Sequence, residues 1–383
     1  MILLRSMRGR ATDEPHRVAT PLELFFDLFF VVAVSFAVSE LAHALSAGHL
    51  GEALTGYVTA FFAIWWAWMN FTWFASAYDT DDWVYRVMTL VQMSGVLVLA
   101  AGVPAAFERH DYRIVWFGYL IMRAAMACQW LRAAAGDRPH RRAARRYALG
   151  ISLAMVYWAV LFVTPATLVL PVFALGVVIE LAVPVWGERG TRTSWHPHHI
   201  AERYGLFTII MMGENVLGAT VSVQNALSHE GAKPSLIVVA AAALVIVFSL
   251  WWIYFEPETH EILTSSKAAL RWGYGHYVIF ASVGAVGGGI EVMVAYVTGE
   301  SALTRTQAGL AMAVPVAIFL IAVWALHIRP HRYGRADSAA FLLAAVLVLL
   351  AAATPVAVPL IAAVTAGLVA ATSLIRRAAW PGR

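Results

Sequence analysis

Acidic residues are few in this chain, and several stand inside runs that otherwise read as hydrocarbon-soluble. Residues 21–45, PLELFFDLFFVVAVSFAVSELAHAL, carry Glu23, Asp27, Glu40 and His43. Glu23 and Asp27 are four residues apart and share one helical face. A carboxylate in an apolar medium is costly unless paired, hydrated or neutralised, so this stripe predicts partners elsewhere in the chain. The densest acidic group is Asp79-Thr80-Asp81-Asp82. Three carboxylates at a membrane–water boundary could hold Mg²⁺, which takes a few carboxylates together with water and phosphate oxygens. Arg86, one turn onward, and Arg203 would then bind a diphosphate alongside the metal. The competing reading makes Asp82 the N-cap of the next helix, with its neighbours favoured by the helix dipole.

His198, His199 and Glu202 have spacings of three and four, so they fit one helical turn in the manner of metal ligands or a proton relay. The pattern is unspecific, and pairing of Glu202 or Arg203 with Glu23 and Asp27 is the stronger expectation. Glu214, in the triplet Gly213-Glu214-Asn215, is the best single candidate for chemistry. At 1.5 Å per residue it lies about 20 Å from its helix start, where a carboxyl suits proton donation or carriage. Arg123 is its expected partner, with Glu291 at similar depth. The alternative is a neutral glutamic acid hydrogen-bonded across helices. Trp65, Trp66, Trp68 and Trp73, with Phe71 and Phe74, could line a pocket for an apolar or cationic guest, though packing or an interfacial belt is the commoner role.

The elements that must position these groups are membrane helices. Of 383 residues, 61% are hydrophobic and 13% charged, against about 25% charged in soluble domains. The fold class is an all-α integral membrane protein. A span needs roughly 20 apolar residues, and twelve candidates appear: 20–45, 54–77, 84–107, 112–134, 147–164, 167–186, 200–223, 235–256, 273–298, 309–327, 338–353 and 356–375. Pro165 separates the fifth from the sixth, and Thr354-Pro355 the last two. With cytoplasmic termini, 21 of the 27 lysines and arginines fall on the inside and four outside, Arg123 and Arg203 lying within helices. That bias is expected of a chain with both ends on the cytoplasmic side. Residues 1–19 form the N-terminal tail, 20–375 one polytopic domain, and 376–383 the C-terminal tail. The tail has no apolar core of signal-peptide length, so helix 1 is expected to be its own insertion signal. Helices 1–3 resemble helices 7–9, which suggests a parallel 6+6 repeat with halves 20–186 and 200–375. The single cysteine, Cys128, excludes a disulfide framework. No haem, nucleotide or nucleic-acid partner is indicated.

The stretches PLELFFDLFFVVAVSFAVSELAHAL, WWAWMNFTWFASAYDTDDWVYRV, ERYGLFTIIMMGENVLG, WWIYF and YGHYVIF resemble the bacterial low-temperature-requirement A family. Carried across, the family pattern emphasises Glu23, Asp27, His43, Trp66, Tyr78, Asp79, Asp81, Asp82, Arg86, Arg123, Glu202, Arg203, Gly213, Glu214, Tyr254 and His276. Glu256 stands where Asp is expected after WWIYF, and GEN where relatives show GES. The resemblance implies a multi-pass bacterial membrane protein linked by name to growth in the cold. It supplies no agreed reaction, substrate or cofactor.

Three functions fit. In the first, the protein is an intramembrane enzyme acting on a lipidic phosphate, most concretely an isoprenoid diphosphate. Asp79, Asp81 and Asp82 would hold Mg²⁺, while Arg86, Arg203 and Arg123 bind substrate and leaving group. Trp66, Trp73, Tyr78, Tyr254 and His276 would surround the prenyl chain, and Glu214, Glu23, Asp27 or Glu202 would move a proton. The second is a proton- or cation-coupled transporter using Glu214, Arg123 and Glu291. The third is a lipid-binding scaffold. In each, Glu23 and Asp27 are expected to border a cytoplasm-facing polar pocket between helices 1, 2 and 7, with Arg86 or Arg203 as partner.

Overall fold

The computed structural model describes residues 5–11, 14, 17–230, 233–257, 259–331 and 333–379, the side chains of 225, 226, 229, 230, 260, 266 and 376–379 excepted. Glu258, which follows Glu256 after the eighth apolar stretch of the sequence, lies outside the described residues. Twelve α-helices follow one another among the described residues: α1 (Pro21–Ser46), α2 (Leu50–Tyr78), α3 (Trp83–Arg109), α4 (Arg113–Gly136), α5 (Arg141–Trp158), α6 (Val169–Gly187), α7 (Pro197–Glu230), α8 (Pro234–Phe255), α9 (Ser266–Thr298), α10 (Arg305–Val323), α11 (Arg335–Ala351) and α12 (Ala357–Ala379). Among the described residues, ten segments are long and apolar enough to cross a membrane. Of the two helices outside that count, α11 has only 17 residues, while α2 is long but rich in tryptophan, tyrosine and polar side chains. The protein is an all-α, multi-pass integral membrane protein.

Helix boundaries follow local chemistry. Thr20, Pro21 and Glu23 form a reciprocal cap at the start of α1: the Glu23 carboxylate accepts from Thr20 N at 2.7 Å and the Thr20 hydroxyl accepts from Glu23 N at 3.3 Å. That is the capping-box arrangement, with proline at the first helical position. Between α2 and α3 the chain turns through Asp81 in the left-handed region (φ 47°), which aspartate tolerates better than most residues. Asp82 then caps α3. At Pro165, α5 has already unwound through a 3₁₀ turn, Ala159–Val163. The end of α10 widens into a π turn, Trp324–Ile328. Helix α5 starts six residues earlier than its apolar stretch, because Ala143, Ala144 and Tyr147 are buried and its arginines extend outward from the same turns.

By internal contacts the chain falls into two compact units. One comprises residues up to Ala37 together with Thr59–Tyr204; the other comprises Val38–Val58 together with residues from Gly205 on. In the first unit α3 packs most extensively on α4, then α4 on α5 and α5 on α6. Glycines bring α3 and α4 together: a Cβ on Gly118 would lie 2.4 Å from Leu99 N, and one on Gly95 2.8 Å from Gly118 O. Small residues permit such approach in membrane helices, where packing replaces the hydrophobic drive. In the second unit the corresponding pairs six helices on, α9 with α10, α10 with α11 and α11 with α12, are again in contact, and α12 also packs on α8.

Candidate functional site

The first unit is organised around a buried ionic cluster. Glu23 and Asp27 from α1 meet Arg203 and His199 from the first two turns of α7. Arg203 pairs with Asp27 through one guanidinium nitrogen and with Glu23 Oε1 through the other, at 3.1 Å. His199 Nε2 lies 3.1 Å from the same Glu23 oxygen, and Arg17 lies 4.0 Å from it. The Trp68 indole donates to Asp27 Oδ1 at 2.7 Å. The side chains of Glu23, Asp27, His199 and Arg203 are all 0% exposed. The α1 stripe therefore finds the partner expected for it in Arg203. The expected pocket is instead a closed cluster, because arginine, histidine and indole donors fill the space around the carboxylates. Glu202 points elsewhere and accepts from Ala19 N at 3.1 Å.

The DTDD turn does not bring its three acids together. Asp79 faces Arg10 at 3.5 Å and Arg17 at 3.6 Å. Asp81 pairs with Arg86 at 2.7 Å on the surface. Asp82 accepts from Tyr85 N at 2.9 Å and Arg5 N at 3.0 Å, and is bridged by Arg132. Burial and the nearby Glu23 charge push Asp79 up to about 6, against the pull of Arg17 and Arg10. Arg86 holds Asp81 below the usual carboxylate range. Burial works to raise Asp82, but the hydrogen bonds from Arg132, Tyr85 N and Arg5 N hold it lower. Among the described residues no group of three or more His, Cys, Asp or Glu side chains is arranged to hold a metal ion. The three carboxylates expected to share Mg²⁺ are turned to separate arginines, and Arg86, expected to bind a diphosphate, is paired with Asp81. Asp82 has the capping role weighed against that expectation. Tyr78, also buried, donates to Asp137 at 3.2 Å.

A second buried ion pair corrects another expectation. Arg123 on α4 bonds Glu180 on α6 at 3.0 Å, not Glu214. Glu180 also accepts from the indoles of Trp66 at 2.7 Å and Trp158 at 3.0 Å. Arg123 is further held by the Tyr119 hydroxyl at 2.7 Å and Asn70 Oδ1 at 3.3 Å. Motif and spacing do not single out Glu180, although a lone glutamate in VLPVFALGVVIELAVPVWG is itself the signal of a required partner. The tryptophans of α2 are packing residues with polar handles: Trp65, Trp66 and Trp68 are buried, and Trp73 donates to the Tyr204 hydroxyl at 3.1 Å.

In the second unit Glu214 on α7 and Glu291 on α9 are half-buried. Asn215 donates to Val283 O at 2.7 Å, tying α7 to α9. A Cβ on Gly218 would lie 3.3 Å from Glu291 Oε1, so the Glu291 carboxylate rests against α7 one turn beyond Glu214, whose charge bears on it. Neither makes an ion pair with a basic side chain among the described residues. His276 on α9 and Tyr254 on α8 adjoin each other, with the Tyr254 hydroxyl 3.1 Å from His276 Nε2.

The bacterial low temperature requirement A protein (LtrA) family matches residues 18–374. The chain belongs to that family. It is also 26% identical over 301 residues to an uncharacterized protein of Rhizobium meliloti (strain 1021), covering 73% of this chain and 71% of that one.

Proposed function

We propose that the protein is a proton- or cation-coupled secondary transporter of the bacterial cytoplasmic membrane, with both termini cytoplasmic and Glu214 and Glu291 as its ion-binding carboxylates. A contrast in pairing carries this reading. Glu23, Asp27 and Glu180 are each met by an arginine. Glu214 and Glu291 neighbour each other with no basic partner among the described residues. Two adjoining carboxylates at membrane depth do not both ionise without a counter-charge. A bound proton or metal cation supplies it, and its release alters the repulsion between α7 and α9. That differential binding is what a coupled transporter requires. The repeated pairing of α3 with α4 and α9 with α10 supports a parallel repeat of halves 20–186 and 200–375, a plan common to secondary transporters. Chemistry on an isoprenoid diphosphate is the weaker reading, because the acids it needs are divided among separate arginines.

Proteoliposomes adsorbed on a solid-supported membrane test this through currents evoked by pH, Na⁺ or K⁺ jumps. A transient current is expected for at least one ion, lost in Glu291→Gln and altered in Glu214→Gln, with Glu52→Gln unchanged. No current under any jump, or one that survives both substitutions, would overturn the assignment.

A further inference from the structure

His327 is wholly buried, and neither of its ring nitrogens makes a hydrogen bond. The Tyr254 carbonyl bears on it without closing one. A buried polar group left unsatisfied costs roughly 1–3 kcal/mol, so an imidazole kept in this state calls for an explanation. It sits in the π turn Trp324–Ile328, where Arg329 N reaches back five residues to Trp324 O at 2.8 Å. Single π turns are frequent at functional sites because the extra residue re-aims a side chain.

Beside His327 lies a second imidazole. The His276 ring centroid lies 5.3 Å away, and the Tyr254 ring 5.0 Å away. His276 Nδ1 is 2.8 Å from the Trp272 carbonyl. A carbonyl only accepts, so Nδ1 carries the proton and Nε2 presents its lone pair. Histidines that bind metals are held in this way, the distal N–H donating to a backbone carbonyl or carboxylate. The Tyr254 oxygen stands 3.1 Å from that lone pair, and Thr208 supports the hydroxyl from α7.

We propose that His276 Nε2, His327 and the Tyr254 hydroxyl form a binding site for a transition-metal ion of the Zn²⁺ or Cu⁺ type. Imidazole suits these ions, and a nitrogen or oxygen donor lies about 2.0–2.1 Å from zinc. Two imidazoles sharing one tetrahedral ion at that distance have ring centroids roughly 5 Å apart, and two such donor atoms lie roughly 3.3 Å apart. The observed ring separation of 5.3 Å and donor separation of 3.1 Å are close to these spacings, so the three groups need only small rotations to converge on one ion. Zn²⁺ binding displaces the Tyr254 hydroxyl proton, which leaves to solvent as the oxygen becomes a ligand. The ion would tie together α8, α9 and the end of α10. It is separate from the Glu214–Glu291 pair and does not depend on its role.

The test uses untagged full-length protein in detergent, stripped with chelator and then exposed to Zn²⁺ or Cu⁺. Metal retained after gel filtration is measured by elemental analysis, and the Tm is read in parallel. One ion per chain and a raised Tm are expected, since a ligand that binds only the folded state stabilises it. His327→Gln, His276→Gln and Tyr254→Phe should each weaken retention at least about tenfold, while His331→Gln leaves it intact. Co²⁺ should give the visible bands of a four-coordinate site in the wild type and not in His327→Gln. Failure of the folded wild type to retain either metal, or retention lost in His198→Gln but kept in His327→Gln and Tyr254→Phe, would overturn the site.

Discussion

Arg203 bridges Glu23 and Asp27 with none of the three side chains exposed. Deleting one member of such a group leaves an uncompensated buried charge, which costs about 3–5 kcal/mol. Arg203→Gln is therefore expected to lower the Tm sharply, read from detergent-solubilised protein by intrinsic fluorescence. Arg203→Lys should restore little, because a single ammonium cannot face two carboxylates as a planar fork does. The triple substitution Glu23→Gln/Asp27→Asn/Arg203→Gln should lose less than Arg203→Gln alone.

Glu180 collects three donors, from Arg123, Trp66 and Trp158. Replacement by glutamine keeps the shape but sets an amide N–H₂ against at least one of those donors and strips Arg123 of its counter-charge. Glu180→Gln should cost about 3 kcal/mol or more, and Glu180→Gln/Arg123→Gln distinctly less than the sum of the single changes. Additive losses in that double-mutant cycle would show that the pair is not energetically coupled.

These two clusters mark how far the sequence could be read. The helices were legible because apolar length is a one-dimensional signal, and the Thr354-Pro355 and Thr164-Pro165 breaks are local. The link between α1 and Arg203 was legible because a carboxylate stripe demands a cation and Arg203 lies in the second turn of a membrane helix. Depth along a helix pairs Arg123 with Glu214 but says nothing about which face a side chain takes, and Arg123 faces Glu180. Glu180 lies in a strongly apolar stretch, where one glutamate does not interrupt the hydrophobic pattern. The DTDD turn looked like a metal site because three acids are adjacent in sequence. A left-handed residue at Asp81 sends the neighbouring carboxylates in different directions, each toward its own arginine, which spacing alone cannot reveal.

Asp79 supplies a pH-dependent contrast. Its folded-state value is pushed up to about 6, above the unfolded value of about 3.9, so the folded chain holds this proton more tightly than the unfolded one. Folding is then favoured at low pH, and this contribution is lost as pH rises from about 4 through about 6. Asp79→Asn removes the dependence. The stability of Asp79→Asn relative to wild type should accordingly increase between pH 5 and pH 7, by roughly 1–3 kcal/mol, and level off above. A relative stability that falls over this interval would mean that Arg10 and Arg17 dominate over burial at Asp79.

Three consecutive glycines on α9 face three different helices, and the geometry orders their tolerance to substitution. A Cβ on Gly287 would lie 2.5 Å from Asn215 Oδ1 on α7; one on Gly288 would meet Leu41 on α1 at 3.4 Å; one on Gly289 would lie 2.7 Å from the Ala311 carbonyl and 2.9 Å from Met312 Cα on α10. Gly288→Ala makes ordinary contact and gains up to about 1 kcal/mol of helix propensity, so its Tm should match or exceed that of the wild type. Gly287→Ala and Gly289→Ala force a shift and should each cost about 1–3 kcal/mol. They differ in remedy. The obstacle at Gly287 is a side chain, so adding Asn215→Ala should recover part of the loss, whereas the obstacle at Gly289 is backbone, which no single side-chain change on α10 removes. Because Gly287 and Asn215 lie on the α7–α9 contact that also carries Glu214 and Glu291, Gly287→Ala should disturb ion-evoked currents as well as stability. Gly289→Ala, acting on the α9–α10 contact, should lower the Tm with a smaller effect on those currents.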